Sequence, residues 1–257
     1  MPTISEARAL FERPNRYYLN RRQYDIKLRA EVVKYFADRL DYKRVLDIGC
    51  GDGSVSLPLL RPDSRITLVD LSSAMTEIAS ARIPRELVGN VELRNEDFMK
   101  GAFEPEGYDL IICIGLLAHV ENPRDLIAKV AGSLRPGGRL ILEFSDSAHF
   151  VWRFTELVQK AMRAFAGLIG FMPAGGPPRY HTNLLTCAGV SESLAENRLT
   201  LISVYRHAVW GLPGVHRLFS QATMYNAVRV IFGSAERNRN AWLGNEYICL
   251  LARVGDL

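Results

Sequence analysis

Two periodicities divide the chain. Over residues 17–40 apolar side chains recur at helical spacing (Tyr24, Leu28, Val32, Tyr35, Phe36, Leu40), which predicts an amphipathic helix. From Lys43 the pattern changes to short apolar runs at 45–48, 66–69, 91–93, 110–114 and 140–144, separated by helical stretches at 55–60, 73–81 and 124–134. Runs without a polar face suit strands buried on both sides of a parallel sheet, and the stretches between them suit crossover helices. Asn122 is a natural N-cap with Pro123 at the first helical position, and Pro136-Gly137-Gly138 is a stop signal. The alternation predicts an α/β fold with a doubly wound, Rossmann-like sheet.

Beyond Phe144 the alternation breaks. Residues 150–172 form one amphipathic stretch, with Arg153, Glu156, Lys160 and Arg163 on its polar face and Val151, Phe154, Leu157, Val158, Met162 and Phe165 on the rest. A Pro/Gly-rich linker at 173–178 follows, then a helix over 183–197, a strand at 199–209, a partly helical stretch at 212–233 and a last strand at 247–254. A single domain over 1–257 is expected: an N-terminal helical cap at 1–40, a core at 41–146, a helical lid insertion at 150–183, and the rest of the sheet at 184–257 with a second insertion at 212–240.

Composition narrows this little. Of the 257 residues 48% are hydrophobic and 23% charged, as in folded globular chains rather than disordered ones. The formal net charge is +4, with no block of one sign, which speaks against nucleic acid as the partner. Cys50, Cys113, Cys187 and Cys249 form no CxxC pair and suit buried free thiols. Glu6, Arg8, Glu12 and Arg13 do not resemble a secretory leader, and no apolar run is long enough to span a bilayer. A cytoplasmic location is expected.

The chemistry is concentrated in Val45-Leu46-Asp47-Ile48-Gly49-Cys50-Gly51-Asp52-Gly53, where a strand ends in closely spaced glycines. Glycine serves where backbone turns sharply or must approach a ligand. The dinucleotide fingerprint is G-x-G-x-x-G, whereas here the third glycine comes one position early. Asp47 also stands ahead of the loop, where a carboxylate would repel a pyrophosphate and attract a cation. S-adenosylmethionine, with its sulfonium and α-ammonium, has the matching sign. Asp70 at the end of the second strand can accept from ribose hydroxyls, and Asp97 after the third can accept from an adenine amino group.

Together VLDIGCGDG, TLVDLSSAM, NEDF, YDLIICIGLLAHVENP and LRPGGRLIL, over about residues 43–145, resemble the class I S-adenosylmethionine-dependent methyltransferases. The resemblance implies a seven-stranded sheet with an antiparallel last strand, S-adenosyl-L-methionine as cofactor and S-adenosyl-L-homocysteine as product. It puts Asp47 and Gly49 at the methionine end, Asp70 at the ribose, and Asp97 with Phe98 at the adenine. Cys50, Gly51, Gly53, Leu71 and Ile114 complete the expected cofactor-binding set. LLAHVENP is similar to the ubiquinone-biosynthesis O-methyltransferase branch. That branch often has glutamates, associated in some members with a divalent cation, where this chain has Gly115 and Ala118, so no metal is expected.

Transfer to a hydroxyl needs a proton acceptor. His119, after the fourth strand, is the first candidate and Glu143, within the fifth, the second. His149, Tyr180 and His181 flank the insertion and are candidates for the acceptor pocket, whereas His207 and His216 suggest no role. Tyr17 and Tyr18 are expected to cap the cofactor cleft. The apolar insertion implies a small, lipophilic or aromatic acceptor, methylated at oxygen before nitrogen or carbon. The alternative to a lid over 150–172 is a membrane-surface helix giving peripheral membrane contact. Competing functions are a nicotinamide-dependent oxidoreductase and a non-catalytic cofactor-binding module.

Overall fold

The computed structural model describes residues 4–12, 23–168, 183–208 and 219–256. Its frame is a seven-stranded sheet of β1 (Arg44–Ile48), β2 (Arg65–Asp70), β3 (Val91–Asn95), β4 (Tyr108–Cys113), β5 (Leu134–Ser145), β6 (Leu199–His207) and β7 (Glu246–Arg253). The order across it is β3-β2-β1-β4-β5-β7-β6. Strands β1 to β5 run parallel, and β7 is antiparallel to both β5 and β6. The chain leaves β1 toward β2 and returns on the other side as β4, so a crevice opens where β1 and β4 end. Around the sheet lie α1 (Ile4–Phe11), α2 (Gln23–Ala37), α3 (Ser73–Arg82), α4 (Pro123–Ser133), α5 (Phe150–Leu168), α6 (Cys187–Glu196) and α7 (Gln221–Phe232).

The period of two along each strand explains the two cores. Val45, Ile66, Leu110, Ile112, Ile141, Tyr205, Ile248 and Leu250 pack with Leu28, Val32 and Phe36 of α2 and Met224, Val228 and Phe232 of α7. Their neighbours Leu46, Ile48, Ile111, Cys113, Leu140, Leu142, Cys249 and Leu251 pack with Leu126, Ile127 and Val130 of α4 and Val190 and Leu194 of α6. Four polar residues belong by the same alternation to the α2 face: Asp47, Glu143, His207 and Glu246. All are buried.

Several boundaries differ from the sequence expectation. Residues 55–60 make turns and a short 3₁₀ turn, Leu57–Leu59, instead of a crossover helix. Pro58 has no N–H to return to the carbonyl one turn earlier, which disfavours an α-helix there. The run at 91–93 is the start of the edge strand β3, which is only partly buried. Pro136-Gly137-Gly138 lies inside β5, at the register shift against β4, and the stop falls earlier, at Ser133. Asn122 caps α4 as expected, its side chain accepting from Arg124 N. The helix expected from 183 starts at Cys187, where the Thr186 hydroxyl accepts from Gly189 N. All four cysteines are free thiols. The expectations for Tyr17, Tyr18, the 173–178 linker, Tyr180, His181 and His216 lie outside the described residues.

Candidate active site

The loop after β1 turns through Gly49, Gly51 and Gly53 at φ of +72°, +53° and +73°, a region that favours glycine. The space is tight as well: a Cβ on Gly53 would stand 2.6 Å from Leu57 Cδ1. Gly49 N and Cys50 N both donate to the Val69 carbonyl, at 2.8 and 3.0 Å, which ties the loop to β2. Gly51 N donates to Asp70 Oδ2 and Ser72 N to Asp70 Oδ1, each at 2.9 Å. Asp70 therefore holds the loop in shape, and each of its oxygens keeps a lone pair for a further donor. Burial raises its pKa against these backbone donors.

Asp47 sits beneath this loop. Its Oδ2 is buried with no hydrogen-bond partner. Burial, opposed by the Ser56 hydroxyl and reinforced by Asp70 and Asp52, raises its pKa to about 7. At the far end of the crevice Asp97 Oδ1 accepts from Met99 N at 2.9 Å, and its Oδ2 is buried without a partner. Phe98 packs on Phe103 at 4.6 Å between ring centroids. Lys129 Nζ fixes this loop by donating to the carbonyls of Phe98, Met99 and Gly101 at 2.6, 3.0 and 2.8 Å.

These groups open on one cavity of about 640 Å³. Among the predicted residues Asp47, Gly49, Cys50, Gly51, Asp70, Leu71, Asp97, Phe98, Ile114, His119 and Glu143 line it. Gly53 does not: it sits behind the loop against Leu57. His149 is not in the wall either, since its Nε2 pairs with the Trp242 carbonyl at 3.0 Å.

The structure adds residues that the sequence did not single out. Arg8 and Phe11 of α1, Arg29 of α2, Trp152 of α5 and Glu246 of β7 reach the cavity. Arg29 Nε donates to Glu143 Oε1 at 2.8 Å, while its Nη1 and Nη2 lie 3.3 Å from Asp25 Oδ2 and 3.6 Å from Glu246 Oε2. Burial pushes the Glu143 pKa up, but Arg29 and His207 outweigh it and the net shift is down. One signal was available in the sequence: Asp25 and Arg29 lie one helical turn apart, each next to a core position of the same helix (Tyr24, Leu28).

The residues fit a ligand with a cation at one end and an amino donor at the other. Asp47 and Asp97 each leave a buried oxygen without a hydrogen-bond partner, of the sign that suits a cation or an amino donor, and both residues line the cavity. Residues 45–138 match the family model described as "Methyltransferase domain". Over residues 45–138 the chain is therefore similar to a methyltransferase domain, carried on a seven-stranded sheet of order β3-β2-β1-β4-β5-β7-β6.

Among curated proteins the chain is similar to the mitochondrial ubiquinone biosynthesis O-methyltransferase of Schizosaccharomyces pombe, 35% identical over 104 residues, which is 39% of this chain and 37% of that one. It is also similar to the ubiquinone biosynthesis O-methyltransferase of Coxiella burnetii, 30% identical over 110 residues, 42% of this chain and 47% of that one. The chain thus spans less than half the length of either relative. Among solved structures, magnesium protoporphyrin IX methyltransferase from Synechocystis PCC 6803 with bound SAM superposes at a TM-score of 0.58, with 16% identity and 98% of both chains covered. That likeness is one of fold.

Proposed function

We propose that the chain is an S-adenosylmethionine-dependent methyltransferase that methylates a small lipophilic or aromatic acceptor at oxygen. The observation that carries this reading is the convergence of Asp47, Asp70 and Asp97, from the exits of three strands, on one cavity also lined by the apolar side chains of Phe11, Leu116, Trp152 and Leu184. The names of the curated relatives favour oxygen as the methylated atom. The expected single domain over 1–257, without nucleic acid as partner, remains part of this reading.

When bound, S-adenosylmethionine supplies a methyl group on a positively charged sulfur. With that group bound against Asp47, Asp70 and Asp97, transfer would form an oxygen–carbon bond and break the carbon–sulfur bond, whose electron pair would stay on sulfur. The hydroxyl proton then needs a base. His119 and Glu143 both line the cavity, and we take Glu143 as that base. Its Oε2 is buried and unpartnered, and stands 3.7 Å from where a Cβ on Gly115 would be, just beyond the end of β4. Arg29 Nη1 lies 3.5 Å from the same point, so the guanidinium flanks Oε2 on that side. A carboxylate below its ordinary pKa is a weak base, but the acceptor oxygen becomes strongly acidic as it is alkylated, so a weak, well-placed base suffices. The remaining work is alignment and exclusion of water by the apolar wall.

A second reading concerns where the acceptor is met. Phe150, Phe154, Leu157 and Phe165 of α5 are exposed, and Trp152 of the same helix lines the cavity. Peripheral contact of this helix with a membrane would deliver a lipophilic acceptor at the mouth of the site. No helix among the described residues is long and apolar enough to cross a membrane.

Calorimetry with S-adenosylmethionine, S-adenosylhomocysteine and NAD tests the cofactor, and transfer of a tritiated methyl group to a panel of phenols, catechols and enols tests the reaction. The adenosyl-sulfur ligands should bind and label should appear in an extractable product. Binding of NAD alone would overturn the reading. Cofactor binding with no labelled product across the panel would leave a cofactor-binding module in its place.

A further inference from the structure

His207 of β6 and Arg29 of α2 both bear on one oxygen of Glu143. Arg29 Nε donates to Oε1 at 2.8 Å, and His207 Nε2 lies 3.8 Å from the same atom. The other oxygen, Oε2, has no hydrogen-bond partner and lies, beside Arg29 Nη1, next to Gly115 in the cavity wall. We propose that Arg29 and His207 are positioning residues: two cations pin Oε1 of Glu143, so that Oε2 is kept ionised and aimed into the cavity to take the acceptor's proton. The inference rests on the reading of Glu143 as proton acceptor.

The geometry of the cluster supports two cations and not one. Asp25 of α2, Glu143 of β5 and Glu246 of β7 are three buried carboxyls, and among the described residues the permanent cation recorded against all three is Arg29. One carboxyl oxygen each of Asp25 and Glu246 and a ring nitrogen of His207 lie within 4.8 Å of one another, a spacing that suits groups shared around a positive charge. Arg29 supplies one such charge. An imidazolium at His207 supplies the second, and a low-dielectric site penalises its absence heavily.

The groups facing His207 are Glu143, Glu246 at 3.9 Å, Asp25, and the Tyr205 ring on its own strand at 5.9 Å. Burial alone would lower its pKa, but these carboxyls outweigh burial and the net shift is up. Facing Glu143 are Arg29, His207, Glu246 and the thiols of Cys113 on β4 and Cys249 on β7. Burial, with Asp25 beside it, raises the pKa of Glu246, which suits a proton held there. A cluster that only stapled α2 to the sheet would have no reason to face the ligand, yet Arg29, Glu143 and Glu246 all line the cavity.

The test begins with the unmodified chain carrying ¹⁵N-labelled histidine. Two-bond nitrogen–proton spectra recorded across pH 5 to 9 should show His207 protonated on both ring nitrogens above the ordinary histidine midpoint of about 6.5. In Glu143→Gln that midpoint should fall by about one pH unit or more, because the nearest carboxylate is gone. With an acceptor labelled in the panel and saturating cofactor, His207→Gln should lower kcat about tenfold or more and move the acid limb of the kcat profile upward, while the KM for S-adenosylmethionine stays put. A neutral His207 at pH 7, or a midpoint indifferent to Glu143→Gln, overturns the proposal even if His207→Gln fails to fold. An unmoved acid limb in a folded His207→Gln overturns it too. None of these results touches cofactor binding, so failure of the methyltransferase reading would show separately, as loss of S-adenosylhomocysteine binding by the unmodified chain.

Discussion

Asp47 shares its corner with Asp52 and Asp70, and in that company its pKa is raised to about 7. A sulfonium and an α-ammonium placed nearby favour the ionised form, so cofactor and proton compete for this carboxylate. Affinity for S-adenosylmethionine should therefore fall as pH drops through about 7, by up to about tenfold per unit. Binding near pH 6.5 should release a fraction of a proton, visible as an enthalpy that differs between phosphate and Tris buffers. In Asp47→Asn the pH dependence should vanish and affinity should drop about tenfold or more. Constant affinity of the unmodified chain from pH 5.5 to 7.5 would mean that Asp47 does not meet the cationic end of the ligand. This residue was legible in the sequence because a strand exit is a one-dimensional feature: apolar run, acid, glycines. His207 was not. It meets Glu143 only through the β5–β7–β6 register, which pairs Glu143 with Ile248 and Ile248 with Tyr205, two residues from His207. Nothing local to 199–209 carries that information.

Element by element, period was easier to read than placement. The amphipathic pattern from residue 150 gave α5 correctly as a helix, since about three apolar positions per two turns can form only one stripe. What the stripe packs against depends on the rest of the fold. In the structure Phe154, Leu157 and Phe165 are each about 65% exposed, at 65%, 64% and 64%. Phe150 continues this apolar surface onto Trp242, with ring centroids 6.0 Å apart. Burying several such side chains at a bilayer surface is worth on the order of 1 kcal/mol or more each, and exposed Arg153 and Lys160 add attraction to anionic lipid. The chain should co-sediment with vesicles of phosphatidylglycerol and phosphatidylcholine, less so at high salt. The double variant Phe154→Asp with Leu157→Asp should weaken this more than about tenfold and leave S-adenosylhomocysteine affinity intact. An unmodified chain that stays in the supernatant ends the membrane reading and leaves α5 to pack over the cavity mouth.

At the scale of the molecule the doubly wound topology was legible, because alternating strands and helices of these lengths permit few arrangements. The edge of the cavity was not, since it is closed by a segment far away in sequence. Glu12, at the end of α1, accepts from Ser73 N at 3.0 Å and Ala74 N at 3.4 Å, the open donors at the start of α3. Next to it, Phe11 meets the His119 ring edge-on at 5.6 Å. So α1 bridges the crevice from the β2 side to the β4 side, with Arg8 and Phe11 facing inward. A carboxylate on helix N-terminal donors contributes about 0.5–2 kcal/mol. If that contact keeps α1 across the mouth, Glu12→Ala should speed dissociation of S-adenosylhomocysteine by about 2- to 30-fold, with association changed less. Stopped-flow displacement by excess unlabelled ligand measures both rates. An unchanged dissociation rate would show that the ligand leaves without passing α1, and would move the exit to the side of Leu184 and Leu185, where the same cavity is bounded by the chain after α5.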